Sequence, residues 1–277
     1  MSQVIVVTSG KGGVGKTTTT AAIGASLAKI GKSVVVVDFD VGLRNLDLVL
    51  GAERRVVFDL INVVQGQANL SQALVKDKRL DTLWLLPASQ TRDKDALTEG
   101  GVAKIIDELR ESFDYVLCDS PAGIERGAVL AMRHADQAII VTNPEVSSVR
   151  DSDRIIGMLD ARTIRAEQGG RIDKHLLISR YDPARVTRGE MLTTEDVADI
   201  LSIPLLGIVP ESEDVLRASN IGMPVTMITP IGPAGIAYET AARRLTGEDV
   251  RVAVPEERTG LFDRLFGELG FGRRAAA

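Results

Sequence analysis

The sequence predicts an α/β protein, a doubly wound and mostly parallel sheet with helices on both faces, followed by a C-terminal amphipathic tail. Three observations support this fold class: short apolar runs alternate with helical segments along the 277 residues, several runs are apolar at consecutive positions, and a glycine-rich loop joins the first run to the first helix. Strands covered by helices on both faces are apolar at consecutive positions.

The predicted strands are apolar runs that are too short for helices. They lie at residues 4–7, 34–37, 83–86, 115–118, 138–141, 176–178 and 205–209. The predicted helices between them lie at residues 16–30, 101–112, 147–159, 193–201 and 234–245. The polar stretch at residues 165–173 is expected to be a surface loop. No composition break or repeat interrupts this alternation, so residues 1–250 are predicted to form one domain.

The charge balance and the cysteine count narrow the function classes. The chain has 33 basic and 38 acidic residues, a net charge of −5, which disfavours nucleic acid as the main partner. The single cysteine, Cys118, excludes an intrachain disulfide, and no leader or 18-residue apolar run is found. We therefore expect a cytoplasmic protein. Cys118, His134, His175 and Trp84 have no ligand spacing and are interpreted as structural.

A phosphate-binding motif follows the first predicted strand. Residues 10–17, GKGGVGKT, match G-x-x-x-x-G-K-[ST] and lead into a helix, as in P-loop NTPases. In such a loop the lysine, Lys16, reaches the β and γ phosphates, and the hydroxyl of Thr17 binds Mg²⁺. Backbone amides of the loop and of the helix start bind the other phosphate oxygens. These amides belong to Gly10, Lys11, Gly12, Gly13, Val14, Gly15 and Thr18.

Acidic residues follow two other predicted strands. Asp119 ends one strand and is a candidate Walker-B carboxylate for the metal, and Asp38 and Asp40 follow another, where a carboxylate could orient water or the metal. Acidic residues also commonly cap strands and turns, so this reading depends on the glycine loop. No Asn-Lys-x-Asp guanine motif is found, which favours ATP. Candidate residues bordering the base are Arg180, Pro210 and Glu211.

The loop carries a second lysine, Lys11, and KGGVGKT thereby resembles the deviant Walker-A (ParA/MinD) family of ATPases. DFDVGLRNLDLVLG from Asp38, CDSPAGIE from Cys118 and VLRASNIGMPV from Val215 extend the resemblance over nearly the whole chain. It implies a Mg²⁺-dependent ATPase, weak alone and stimulated by a partner and the membrane. Lys11 would reach across an ATP-bound homodimer to the partner's phosphates. Asp40 would assist hydrolysis, and Asp40, Thr17 and Asp119 would bind the metal.

The resemblance also implies a biological role, the positioning of the bacterial division septum. The implied partners are a MinC-like division inhibitor, recruited to the membrane, and a MinE-like activator, which releases the protein by stimulating hydrolysis. They would bind near the segment that follows Asp38 and near the helix that carries Arg150, Asp151 and Asp153. Those charges equally fit an ordinary solvated helix face.

Residues 251–277 are predicted to be a linker and a membrane-targeting tail. On a helix after Thr259, five apolar side chains share one arc, with Asp263 and Arg264 opposite. The alternative is a terminal helix that packs on its own domain. One short tail binds lipid weakly and two tails of a dimer bind more tightly. The resemblance to the family implies peripheral attachment to the cytoplasmic face of the bacterial inner membrane. The five residues are Leu261, Phe262, Leu265, Phe266 and Leu269.

Three rival functions use the same loop. A ParA-like DNA-partition ATPase needs a basic dimer surface, which the acidic balance argues against. An electron-transfer ATPase like the nitrogenase iron protein needs two cysteine ligands from each subunit, and this chain has one cysteine. A small-molecule kinase needs an acceptor pocket, for which no constellation is found.

Overall fold

A single sheet of eight strands organises the computed structural model, which describes residues 2–90 and 96–256. The strand order is β3-β4-β2-β5-β1-β6-β7-β8, and every neighbouring pair is parallel except β3 and β4. The strands are β1 (Gln3–Thr8), β2 (Val34–Asp38), β3 (Val75–Lys76), β4 (Leu83–Leu86), β5 (Tyr115–Asp119), β6 (Gln137–Thr142), β7 (Asp173–Tyr181) and β8 (Leu205–Pro210).

Helices connect these strands on both faces of the sheet. In the described residues they are α1 (Lys16–Lys29), α2 (Leu46–Val49), α3 (Leu60–Val64), α4 (Leu70–Ala73), α5 (Glu99–Ser112), α6 (Arg126–Arg133), α7 (Val146–Arg162), α8 (Ile164–Glu167), α9 (Pro183–Thr187), α10 (Thr194–Leu201), α11 (Glu213–Asn220) and α12 (Pro233–Leu245). Two short 3₁₀ helices, Glu53–Arg55 and Val225–Met227, complete the list.

The predicted doubly wound fold is confirmed. All seven predicted strands and all five predicted helices are present, several of them longer than predicted by one to a few residues at an end. The expected loop at 165–173 is wrong in part, because α8 extends to Glu167 and β7 begins at Asp173. The antiparallel edge strand β3 was not predicted, since two residues, one of them exposed, carry no apolar run.

The consecutive apolar positions of β1 serve two separate cores. Val4 and Val6 of β1 pack into one cluster, whereas Ile5 and Val7 pack into the other on the opposite face. Successive side chains of a strand point to opposite faces, so a strand covered on both sides needs apolar residues at every position. Each such residue is fully buried, which stabilises the fold by roughly 1.5–3 kcal/mol per large side chain.

The parallel arrangement brings the predicted site residues together at the carboxyl ends of the strands, which form one edge of the sheet. Asp38 at the end of β2 is the register partner of Asp119 at the end of β5, and Asp119 is also opposite Val7 near the end of β1. The glycine loop leaves β1 at this same edge and enters α1. Close packing of α1 on the sheet requires Gly24, because a Cβ there would lie 2.8 Å from Val36 Cγ1.

The predicted tail helix, including Leu261, Phe262, Leu265, Phe266 and Leu269, lies outside the described residues. Among the residues that are described, no helix has the length and apolar character needed to cross a bilayer.

Candidate functional site

The glycine loop forms an open cradle at the start of α1. Gly13 and Gly15 have φ angles of 76° and 98°, in the left-handed region that favours glycine. The first intrahelical bond runs from Thr19 N to Gly15 O at 2.8 Å. The N–H groups of Lys16, Thr17 and Thr18 therefore have no acceptor within the helix. Together with the helix dipole, they can bind an anion.

Strand β7 supports this loop from below. Ser179 Oγ donates to the carbonyl oxygen of Val14 at 2.7 Å and lies 3.0 Å from Asn143 Oδ1. Sequence reasoning missed both residues. The available signal was a polar residue directly after the apolar run 176–178. A serine in that place is equally typical of a solvated strand end, so the sequence alone does not identify the contact.

Lys16 is buried at the base of the cradle, with a relative exposure of 8%. Burial lowers the pKa of its ammonium group, and the negative charges of Asp119 and Asp40 oppose this shift. The structure thus brings Lys16 and both predicted carboxylates together. A poorly solvated ammonium group forms strong, charge-assisted hydrogen bonds with a phosphate oxygen.

Asp119 joins the glycine loop to β5 through two threonines of α1. Its carboxylate accepts hydrogen bonds from Thr17 and from Thr20 Oγ1, the latter at 3.2 Å. Burial raises the pKa of Asp119 to about 6, against the effect of these bonds and of Lys16. A hydroxyl hydrogen-bonded to a carboxylate is a suitable donor pair for Mg²⁺, which commonly takes one or two protein oxygens together with phosphate and water.

Asp38, the other carboxylate predicted at the end of β2, is held by backbone amides of the loop that follows it. It is fully buried and accepts hydrogen bonds from Asp40 N at 2.8 Å and from Leu46 N at 3.3 Å. Burial and the neighbouring Asp119 raise its pKa well above the usual range. Asp38 therefore fixes the loop between β2 and α2, and this loop presents the half-buried Asp40 beside Lys16.

Lys11 lies at the rim of the cradle and is paired within its own chain. Its Nζ donates to Glu145 Oε2 at 3.1 Å and to Ser147 Oγ at 3.3 Å. Glu145 directly precedes α7 and was not singled out in the sequence. The side chain of Lys11 remains 40% exposed.

The predicted base-binding residues are neighbours at the ends of β7 and β8, where Tyr181 pairs with Pro210, but only two of them line a cavity. Pro210 and Glu211 line a cavity of about 1070 Å³ at the tips of β7 and β8, together with Tyr181 and Asp182. Arg180 is exposed in a left-handed conformation, φ 53°, and does not line that cavity. No residue of 10–18 contributes to the wall of this cavity, so the glycine loop is not part of it.

The charged residues considered for partner binding lie on α7. Arg150 and Asp153 are exposed, and Asp151 is half-buried with an ion pair to Arg154 at 3.5 Å. Gly10 packs directly on this helix, since a Cβ on Gly10 would lie 2.3 Å from the carbonyl oxygen of Asp151. The helix face and the phosphate loop are therefore in direct contact.

The cysteine and the histidines are not part of this site. Cys118 is fully buried, and burial raises its thiol pKa to about 12. Burial lowers the pKa of His134 and His175. In the part of the chain that the structure describes, no group of three or more His, Cys, Asp or Glu side chains is arranged to hold a metal by itself. A metal at Asp119 would therefore need phosphate and water ligands.

A parallel sheet whose first strand leads through a glycine cradle into a helix, with a lysine and a hydroxyl facing carboxylates, defines a P-loop nucleotide-binding protein. Comparisons with known proteins agree. The model of the CobQ/CobB/MinD/ParA nucleotide-binding domain matches residues 5–225. The septum site-determining protein MinD of Neisseria meningitidis serogroup B is 58% identical over 271 residues, which cover 96% of this chain and 100% of that protein.

Solved structures give the same result. The MinC:MinD cell division protein complex of Aquifex aeolicus matches with a TM-score of 0.83 and 44% identity, covering 92% of this chain and 100% of that one. Pyrococcus horikoshii MinD complexed with Mg-ADP matches with a TM-score of 0.78 and 29% identity, covering 88% of this chain and 96% of that one. The chain therefore belongs to the MinD family of septum site-determining proteins, which confirms the resemblance found in the sequence.

Proposed function

We propose that this protein is an ATP-dependent dimerising ATPase that attaches to the cytoplasmic face of the bacterial inner membrane and positions the division septum. It recruits a MinC-like division inhibitor while ATP is bound and leaves the membrane when hydrolysis is stimulated. The observation that carries the proposal is the glycine cradle with two lysines, one buried at its base and one at its rim.

Each side chain at the cradle has a separate task. The loop amides of residues 10–18 and Lys16 bind the phosphates, and Thr17 with Asp119 would hold Mg²⁺, which shields phosphate charge when bound. Asp40 orients the attacking water. Arg180, Pro210 and Glu211 are proposed to border the base, because they lie together at the ends of the neighbouring strands β7 and β8.

Lys11 makes dimerisation part of catalysis in this proposal. From the rim of one cradle it reaches the phosphates of the partner subunit, where a cation stabilises the charge that develops during transfer. The site is then incomplete in a monomer, so hydrolysis by the isolated chain is slow. The loop that Asp38 holds would rearrange when the γ-phosphate is lost.

The proposed partners follow from relatives and from position. The Aquifex relative forms a MinC:MinD complex, so a MinC-like inhibitor is the proposed first partner, and a MinE-like activator is the second. The proposed contact surface is the segment after Asp38 with the face of α7 that carries Arg150, Asp151 and Asp153. Because α7 contacts Gly10 directly, a ligand on this helix has a short path to the phosphate loop.

Membrane attachment is assigned to residues 251–277, outside the proposed ATPase domain of residues 1–250. One tail buries few apolar side chains and pays the cost of ordering, so it binds weakly. A dimer holds the second tail at high effective concentration, which raises avidity by roughly 10²–10⁴. Nucleotide state thereby determines location.

Cosedimentation with phosphatidylglycerol-containing vesicles tests this coupling. We expect the full chain to pellet with Mg²⁺ and a non-hydrolysable ATP analogue and to stay in the supernatant with ADP. Removal of residues 257–277 should abolish pelleting and leave nucleotide affinity unchanged. Lys16→Ala should abolish both, because the buried ammonium group holds the phosphates.

A matched pair of tail variants tests the predicted apolar arc. Leu265→Glu places a charge among the lipid-facing residues and should prevent pelleting, whereas Asp263→Asn on the opposite side should pellet at least as well as the original chain. Equal pelleting with ADP and the ATP analogue refutes the coupling. Equal behaviour of the two tail variants refutes the assigned face.

A further inference from the structure

The rim lysine is held by acceptors of its own subunit. Lys11 Nζ lies 3.1 Å from the Glu145 carboxylate and 3.3 Å from the Ser147 hydroxyl, so one charged and one neutral acceptor hold the same ammonium group. Glu145 occupies the N-cap position of α7, but its side chain makes no hydrogen bond to the helix amides. Its carboxylate is thus directed at the loop rather than at its own helix.

The backbone on both sides of this pair is held in place. A Cβ on Gly10 would lie 2.3 Å from Asp151 O and 2.5 Å from Asp151 Cβ, so the loop residue before Lys11 packs tightly on the second turn of α7. Such contact fixes the distance between the loop and the start of α7. Lys11 and Glu145 therefore face each other because of backbone packing and not only through flexible side chains.

We infer that Glu145, assisted by Ser147, is a positioning residue that retains Lys11 on its own subunit until a partner's terminal phosphate displaces it. The inference rests on the proposed function, in which Lys11 acts on the partner. A carboxylate carries one negative charge and a terminal phosphate group carries nearly two, so the phosphate is the stronger competitor for the ammonium group. The free energy of the Lys11–Glu145 pair is therefore a cost that dimerisation has to overcome.

The free-energy cost of breaking the Lys11–Glu145 pair follows from the exposure of its side chains. The Lys11 and Glu145 side chains are 40% and 36% exposed, so the pair is worth only what solvated ion pairs are worth, a factor of about 1.4–5 in an equilibrium. A symmetric dimer breaks two such pairs. Removing the carboxylate should therefore strengthen dimerisation by about 2- to 30-fold.

Sedimentation equilibrium with Mg²⁺ and a non-hydrolysable ATP analogue measures this effect in the full chain. Glu145→Gln keeps the shape and removes the charge, and the dimer dissociation constant should fall by about 2- to 30-fold. Glu145→Asp keeps the charge and should stay within about twofold of the original chain. The advantage of Glu145→Gln should shrink toward one in about 1 M salt, because exposed pairs are screened.

A control variant separates this effect from net charge. Glu167→Gln removes a carboxylate of similar exposure from an ion pair with Arg133, at the end of the sheet away from the loop, and should leave dimerisation unchanged. An unchanged or weaker Glu145→Gln dimer overturns the inference while leaving the proposed function intact. If the original chain itself forms no dimer with the ATP analogue, both are overturned. Thermal unfolding confirms that each variant is folded.

Discussion

Replacing Asp119 by asparagine separates the energetic cost of a buried carboxylate from its proposed use with Mg-ATP. Asp119 is 1% exposed, and burial raises its pKa from 3.8 to about 6. The native state therefore binds more protons than the unfolded state between these values, and stability falls as pH rises through this window. The variant loses the part of this dependence that Asp119 supplies, and loss of the Asp119 charge also lowers the raised pKa of the neighbouring Asp38.

The magnitude follows from the pKa difference. Each pKa unit corresponds to about 1.4 kcal/mol, so the ionised carboxylate costs the nucleotide-free protein about 3 kcal/mol at pH 7.5. At pH 5 the cost is about 1.6 kcal/mol, because the native group is largely protonated there. Asp119→Asn should be more stable than the original chain at pH 7.5, and its advantage should shrink by about 1.4 kcal/mol at pH 5.

Urea unfolding of the nucleotide-free proteins between pH 5 and 8 measures this difference. Asp114→Asn is the control, because hydrogen bonds from Ser33 lower the pKa of that exposed carboxyl. Its stabilising effect is present above its unfolded pKa and is lost only in acid, so within this pH range Asp114→Asn should be destabilising by a constant amount. A pH-independent gain for Asp119→Asn, or a loss at pH 7.5, would refute the reasoning.

Two further predictions concern buried side chains around the cradle. Ser179→Ala removes the hydrogen bond to Val14 O and should weaken binding of a fluorescent ATP analogue about fivefold, since such a bond is worth about 1 kcal/mol. The control is Ser152→Ala, which removes a similar bond inside α7. Equal affinities of the two variants for the analogue would contradict the support that Ser179 gives to the loop. Cys118 should not react with a thiol reagent at pH 8 until the protein unfolds, because its pKa is about 12 and it is fully buried; reaction at the rate of a free thiol would show that β5 is accessible.

Local patterns were sufficient for the fold class and for the phosphate loop. Runs such as 4–7 and 34–37 predict buried strands because each position is apolar, and the loop 10–17 combines a turn, a helix start and a lysine in one continuous stretch. Features of this kind depend on residues that are neighbours in the chain. The short strand β3 was missed for the same reason, since its two residues pair with β4 and carry no pattern of their own.

The residues that support the loop could not be predicted in this way. Ser179 and Glu145 lie more than 130 positions from Val14 and Lys11, and a serine or a glutamate at a strand or helix end is common on any protein surface. The hydrogen bonds that Asp38 accepts from Asp40 N and Leu46 N could not be predicted either, because they depend on how the loop after β2 folds back over the strand end.

The order of residues along the chain thus determined which segments become strands, which loop binds phosphate and which family the chain belongs to. The tertiary structure alone decided that Lys11 is held by Glu145, that Asp38 is buried and that Ser179 bonds to the phosphate loop. The physical reason is that burial, pKa and ion pairing depend on which distant segments the parallel sheet brings to one edge. Those distances are set by packing between elements, and no local stretch of sequence encodes them.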